Sequence, residues 1–237
     1  MRLLDVVDVE SGAAAGMGLG DDEGEGFAGL VTACRFCGLL DASAAAHEQA
    51  RQLDPTISTS AQHTYWMMGE YERALAAVDP ERDVGGDEAF IHESMGNIPR
   101  ALEVLAQRGG ALSQKTRSAT IGLEIVDAFR SAILRSVDGA PEIFERYIDF
   151  PDPEGRFHMG RCLARLGNTD RALDALSRAE EGFFCYPFFM RDPWLDVLRA
   201  DERFVAILRR AETRYHDALR AFEQHPGSRL LGVGLRR

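Results

Sequence analysis

Gly69–Val78 reads GEYERALAAV, Gly96–Leu105 reads GNIPRALEVL, and Gly167–Leu176 reads GNTDRALDAL. All three carry Gly at the first place, Arg-Ala-Leu at places five to seven, and Val or Leu at place ten. A leading Gly suits the left-handed residue that ends a helix, where a side chain would clash. Two or three turn residues follow, and a new helix begins; Pro99 stands where a first helical turn tolerates a missing N–H. The Ala is small enough for two helices to approach, and the Leu and the apolar residue three places later share one helical face. The phrase therefore predicts a helix–turn–helix corner.

A single corner cannot bury its own apolar face, and stacking copies is the general solution. Gly69 and Gly96 lie 27 residues apart, and Gly96 and Gly167 lie 71 apart, about two repeats. A weaker copy begins at Gly38, in FCGLLDASAAAHEQARQLDP, 31 residues before Gly69. The apolar periodicity predicts helices near 27–37, 41–53, 59–68, 71–78, 87–95, 98–107, 118–136, 140–148, 154–166, 170–181, 193–199 and 202–223. No stretch alternates with period two between hairpin turns, so the expected class is all-α.

Composition narrows the function classes. The chain has 237 residues, 45% of them hydrophobic, ample for a sizeable core. A net charge of -11 disfavours a general nucleic-acid binder, because phosphate contacts need clustered cations. Residues 1–26 hold seven acids against Arg2, and SGAAAGMGLGDDEGEG (11–26) has little to bury; the segment is expected to be a flexible acidic tail. Residues 27–224 are the expected helical domain and 225–237 a C-terminal tail, after His225, Pro226 and Gly227 end the last helix. Lys115 is the only lysine, and the Arg and Ala richness suggests a bacterial source. No long apolar run predicts a membrane span, and MRLLDVVDVESG does not resemble a secretory leader, so the expected compartment is the cytoplasm.

With Gly160 and Ala172 at the small positions, and Leu176 and Ala179 at the packing positions after them, the copy at Gly167 resembles a tetratricopeptide repeat. That family builds 34-residue helical hairpins with small residues where helices touch. The first copy matches through Gly38, Ala50 and Pro55, the second through Tyr65 and Ala74, and the third through Ala101. Residues 106–153 follow the pattern in spacing and helical character alone. The C-terminal stretch 183–224 resembles the closing segment of repeat regions in bacterial signalling proteins. Within it Asp192 is a plausible N-cap, with Pro193 at the first helical position and Trp194 starting a buried face. Asp201 is expected to open a capping helix with the stripe Phe204, Ile207, Leu208, Ala211, Tyr215 and Leu219. The resemblance implies a right-handed superhelical solenoid of degenerate hairpins.

Catalytic chemistry is not indicated. The chain has no phosphate loop, no nucleophile elbow and no HExxH helix, and the Gly-rich GMGLGDDEG follows no predicted strand. His47, His63, His92, His158, His216 and His225 are scattered singly, and Cys34, Cys37, Cys162 and Cys185 read as reduced core residues. No catalytic residue, metal or cofactor is expected. What remains is binding of a protein or peptide partner. The resemblance implies a groove lined by Arg35, His63, Trp66, Met67, Glu93, Phe157, Arg161 and Arg165. Arg161 and Arg165, four apart on one helical face, could clamp a partner's carboxylate or phosphate, or simply form a solvated face. Trp66 with Met67 could anchor a ligand or pack between hairpins. An alternative is a ligand-sensing regulator with an apolar pocket lined by Trp66 and Phe157. A divergent enzyme is the third reading.

Overall fold

The computed structural model describes residues 22–79, 86–113, 119–136, 144 and 151–232, which are helical with no strand among them. The helices are α1 (Asp22–Phe36), α2 (Leu40–Leu53), α3 (Ala61–Met68), α4 (Tyr71–Ala77), α5 (Asp87–Ser94), α6 (Ile98–Ser113), α7 (Ala119–Leu134), α8 (Pro153–Arg165), α9 (Thr169–Glu180), α10 (Tyr186–Arg191) and α11 (Glu202–Gln224). Two 3-10 turns, Pro193–Leu198 and Pro226–Leu231, flank α11.

The repeated phrase is the same object each time. Gly38, Gly69, Gly96 and Gly167 have φ of 78°, 81°, 77° and 82°. At each, the glycine N–H donates to the carbonyl three residues back, and the next N–H donates to the carbonyl five back, at 2.8–3.0 Å. This bond pair closes the helix end and satisfies two otherwise orphaned carbonyls. Five residues after the glycine stand Ser43, Ala74, Ala101 and Ala172, all fully buried.

A fifth corner lies at Arg135, with φ 54°. Arg135 N–H donates to Ala132 O at 3.2 Å and Ser136 N–H to Ser131 O at 2.9 Å, the same pair of bonds. The five corners are thus 31, 27, 39 and 32 residues apart in sequence. Phe144 occupies the place-ten position of this copy and is fully buried, as is Leu176 in its own copy.

The chain divides into two compact units. The first comprises residues 1–77, 184–190 and 210–237; the second comprises 78–183 and 191–209. In the first, α1 pairs with α2 and α3 with α4. Val31, Cys34, Leu39, Ala46, Ala50, Tyr65 and Met67 fill the core, where Ser43 Oγ donates to Val31 O and shares a hydrogen bond with Thr64 Oγ1. Gly38 is tight as well as left-handed. A Cβ there would sit 3.0 Å from both Pro187 Cδ and Tyr215 Cδ2.

In the second unit, the hairpins α5–α6, α7 and α8–α9 surround Phe90, Phe129, Phe157, Leu163, Leu176 and Phe183. Seven residues before the three corners stand Ala89, Ala128 and Gly160, all buried. Gly160 is a close approach: a Cβ there would lie 2.8 Å from Leu176 Cγ and 3.3 Å from Ala172 O. Asp192 caps its turn as expected, accepting from Trp194 N–H at 3.0 Å ahead of Pro193, and Asp152 does the same for α8, accepting from Gly155 N–H at 2.8 Å ahead of Pro153.

The structure differs from expectation at several ends. The helix expected from 27 already starts at Asp22, because Asp22 and Glu23 suit a helix N-terminus and Gly24 seats against Ile57 Cδ1. The rest of the expected acidic tail, residues 1–21, lies outside the described residues, as does the helix expected at 140–148 apart from Phe144. α6 runs on through Gly109 and Gly110, where Gly109 faces Val126 of α7; packing outweighs the poor propensity of glycine. The short α10, absent from the periodicity, forms because Phe188 and Phe189 bury their rings while their N–H groups share Cys185 O. Within the expected C-terminal tail, the turn Pro226–Leu231 packs against α2 and buries Leu231. No helix among the described residues is long and apolar enough to cross a membrane.

Candidate functional site

Four of the expected groove residues belong to the first unit, and three of them are core. Arg35 is buried at the end of α1, and its Nη1 donates to Ser60 O at 3.1 Å and Ser60 Oγ at 2.9 Å, tying α1 to the start of α3. Trp66 is buried with its ring edge-on to Phe188 at 4.7 Å. Met67 is fully buried and His63 half-buried. The corrections follow from side-chain size. On helices as short as α3 (eight residues), one apolar stripe must serve the whole hairpin, so Trp66 and Met67 are consumed by packing.

The other four belong to the second unit, and three of them converge. α5 supplies Glu93, and α8 supplies Arg161 and Arg165 from successive turns of one face. Their common centre is Trp194, carried by the Pro193–Leu198 turn. Its Nε1 donates to Glu93 Oε1 at 3.0 Å, and Arg165 Nη2 donates to the same oxygen at 3.4 Å. Arg161 Cζ stands 4.0 Å from the centroid of the Trp194 ring and 5.0 Å from that of Phe90. Arg165 Cζ stands 5.0 Å from the Trp194 ring. Phe90 meets Trp194 edge-on at 5.7 Å. Phe157 lies outside this cluster, fully buried with its ring 5.1 Å from Phe183. Neither of the rings expected to line an apolar pocket is exposed.

The two arginines do not share one carboxylate; Arg161 holds one that is the chain's own. Arg161 Nε donates to Asp192 Oδ2 at 2.7 Å and its Nη2 donates to Asp192 Oδ1 at 3.2 Å, with both side chains 1% exposed or less. This two-pronged geometry is the strong form of the Arg–carboxylate contact. Burial pulls the Arg161 pKa down, and Asp192 more than reverses that, so the guanidinium stays charged. Arg161 is therefore not an open groove residue. Arg165 is different: its side chain is 18% exposed. Burial lowers its pKa, Glu93 opposes the change, and the charges of Arg135 and Arg161 add to it.

Asp192 and Trp194 as occupants, Phe90 as platform and Arg135 as a neighbouring charge are absent from the sequence reading. Asp192-Pro193-Trp194 was visible as a capped helix start. What its buried face would meet was not, because Glu93 is 101 residues away from Trp194.

The thiols offer no ready nucleophile. Cys34, Cys37, Cys162 and Cys185 are buried and form no disulfide. Burial pushes Cys37 and Cys162 up to about 12 from the usual 9.0, against the opposing pull of Arg214 and Arg161 respectively. A thiol with that pKa stays protonated at neutral pH. No family model, curated protein or solved structure matches the chain.

Proposed function

We propose that this chain is a non-enzymatic scaffold of tetratricopeptide-like hairpins, arranged as a right-handed superhelical solenoid with α11 as its cap, that binds a protein or peptide partner in bacterial signalling. The observation that carries the reading is the recurrence of one corner at Gly38, Gly69, Gly96, Arg135 and Gly167, each with the same pair of backbone bonds. A repeated supersecondary unit with small residues at the helix contacts is what a stacked array requires. Binding is the use such arrays are suited to, since each hairpin adds surface rather than a reaction centre. The protonated, buried thiols agree with a non-catalytic role. A cytoplasmic setting suits four cysteines that form no disulfide.

The test is reconstitution. A protein captured from the source cells is purified and remixed with the full chain, and a complex of fixed stoichiometry is sought by light scattering after size exclusion. Such a complex is the expected result. A chain that forms no complex with any captured protein, but is thermally stabilised by a metabolite, would overturn the scaffold in favour of a ligand sensor.

A further inference from the structure

The loop between α2 and α3 carries a hydroxyl set against a base. Thr59 Oγ1 and His47 Nδ1 are 2.7 Å apart. With the imidazole proton on Nε2, Nδ1 accepts the hydroxyl proton of Thr59. Two nearby hydroxyls are spent on structure. Thr56 Oγ1 donates to Asp54 Oδ1 at 2.7 Å, as does its own N–H, and so closes a turn. Ser60 Oγ accepts from Arg35 Nη1 at 2.9 Å and lies 3.2 Å from Thr32 Oγ1. The partner of Thr59 is instead a base of the strength that takes a hydroxyl proton near neutral pH.

Both members of the pair are held in place. Arg51, one turn beyond His47 on α2, donates through Nη1 to Ile57 O at 3.3 Å, two residues before Thr59. Arg35 donates to Ser60 O at 3.1 Å, one residue after it. The backbone that carries Thr59 is thus pinned on both sides. The imidazole meets the Tyr65 ring edge-on, at 5.8 Å and 83°. Tyr65 is itself buried, and its OH donates to Glu48 Oε1 and accepts from Arg73 Nη2, each at 2.9 Å. Nucleophile, base and a rigid support for the base therefore come together within the first unit. Thr59 and His47 are both half-buried, so neither is sealed in the core as the thiols are.

We propose that Thr59 is a covalent acyl-acceptor site with His47 as its general base, and that the donor is a small activated ester or thioester. Thr59 Oγ1 forms a bond to the donor's carbonyl carbon while its proton passes to His47 Nδ1. The tetrahedral intermediate then expels the alcohol or thiol, which takes the proton back from His47. The products are O-acyl-Thr59 and the released alcohol or thiol, with neutral His47 restored. Burial holds His47 below the ordinary imidazole pKa against the pull of Glu48, and Arg51 and Arg73 add to the lowering, so the base is unprotonated at neutral pH. A single acylation per chain goes beyond the scaffold reading and leaves it standing. The competing account is that the hydrogen bond only ties the loop to α2.

Acetylation of the full chain by p-nitrophenyl acetate separates these accounts. Release of p-nitrophenolate is followed in time, and the acetylated residue is located by peptide mass mapping. The expected result is a burst matched by one acetyl per chain, carried on Thr59. Lys115 is the only lysine, which keeps the background low. The burst rate should rise with pH and level off, with a midpoint below that of an ordinary imidazole. Thr59→Ser should keep the burst and Thr59→Val should abolish it. His47→Gln still offers Thr59 a hydrogen-bond partner and should slow acetylation by about 100-fold or more. Circular dichroism and melting check that each variant is folded. Turnover beyond one acetyl that needs both residues would support the site while overturning the non-enzymatic reading, so the two fail separately. A wild-type chain with no acetyl on Thr59, an acetyl carried by His47 instead, or a His47→Gln variant acetylated on Thr59 as fast as wild type would overturn the proposal.

Discussion

The corners at Gly167 and Arg135 share one backbone and are supported differently. At Gly167 nothing stands within 4 Å of where a Cβ would be, and the glycine is needed for its φ alone. Its hairpin is fixed from beneath: Gly160 admits Leu176, and Arg161 in the same helix is locked to Asp192. At Arg135 the same bonds are made by a residue ill suited to them, and the guanidinium is left at the surface. The lesson is that a corner is specified by the hydrogen bonds it closes and the packing it serves. Glycine is the easiest residue for the place, not a requirement of it.

Four substitutions and a pH titration would break or sharpen the comparison. The largest effect is expected at the support of the Gly167 hairpin. Asp192→Ala leaves Arg161 charged and buried without its partner, and urea unfolding followed by circular dichroism should show a loss of about 3–5 kcal/mol. Adding Arg161→Met should recover much of it; a double variant as unstable as the single would mean that the pair is not what Asp192 serves. Gly160→Ala drives a methyl into Leu176, with an expected cost of about 1–3 kcal/mol that Leu176→Ala in the same chain should partly relieve. Gly167→Ala meets open space and so tests φ alone; about 1 kcal/mol of destabilisation is expected. Arg135→Gly should have the opposite sign, a gain of about 0.5–1 kcal/mol in chemical denaturation, because the strain is removed at the same backbone position. A loss there would show that the arginine side chain supports the corner.

The buried thiols give a pH dependence. Their folded pKa of about 12 lies above the ordinary 9.0, so folding favours the protonated form. That stabilisation is fully present below about pH 9 and is lost as pH rises from 9 towards 12, where the unfolded chain ionises and the folded chain does not. Unfolding free energy should therefore fall across this window. Cys37→Ala and Cys162→Ala together should flatten the fall, and alkylation at about pH 8.5, just below the ordinary thiol pKa, should be slow in the native protein and fast in denaturant.

Much of the local structure was legible. Helix starts at Asp192 and Asp201 follow from side chains that accept hydrogen bonds from their own first turns. Four corners follow from a glycine that must be left-handed. The fifth was written too, in RSVDGAPEIF (135–144), with Ala140 at place six and Phe144 at place ten, but Arg stands where Gly does elsewhere and Gly where Arg does. Only the spacing and the helical character of the stretch pointed to it.

The groove residues were legible in register and not in exposure. Arg161 and Arg165 do share a face, as a spacing of four on α8 requires, because helical periodicity is set by bonds within one helix. That Arg161 would spend both prongs on Asp192, 31 residues away, and that Trp194 would cover Glu93 depended on where a distant turn returned. A residue's secondary structure is governed by neighbours within about five positions along the chain, and those neighbours can be read directly. Its burial and its charge partners are supplied by elements that only the folded chain brings near, and those placed Arg35, Trp66, Met67, Phe157 and Arg161 in the core.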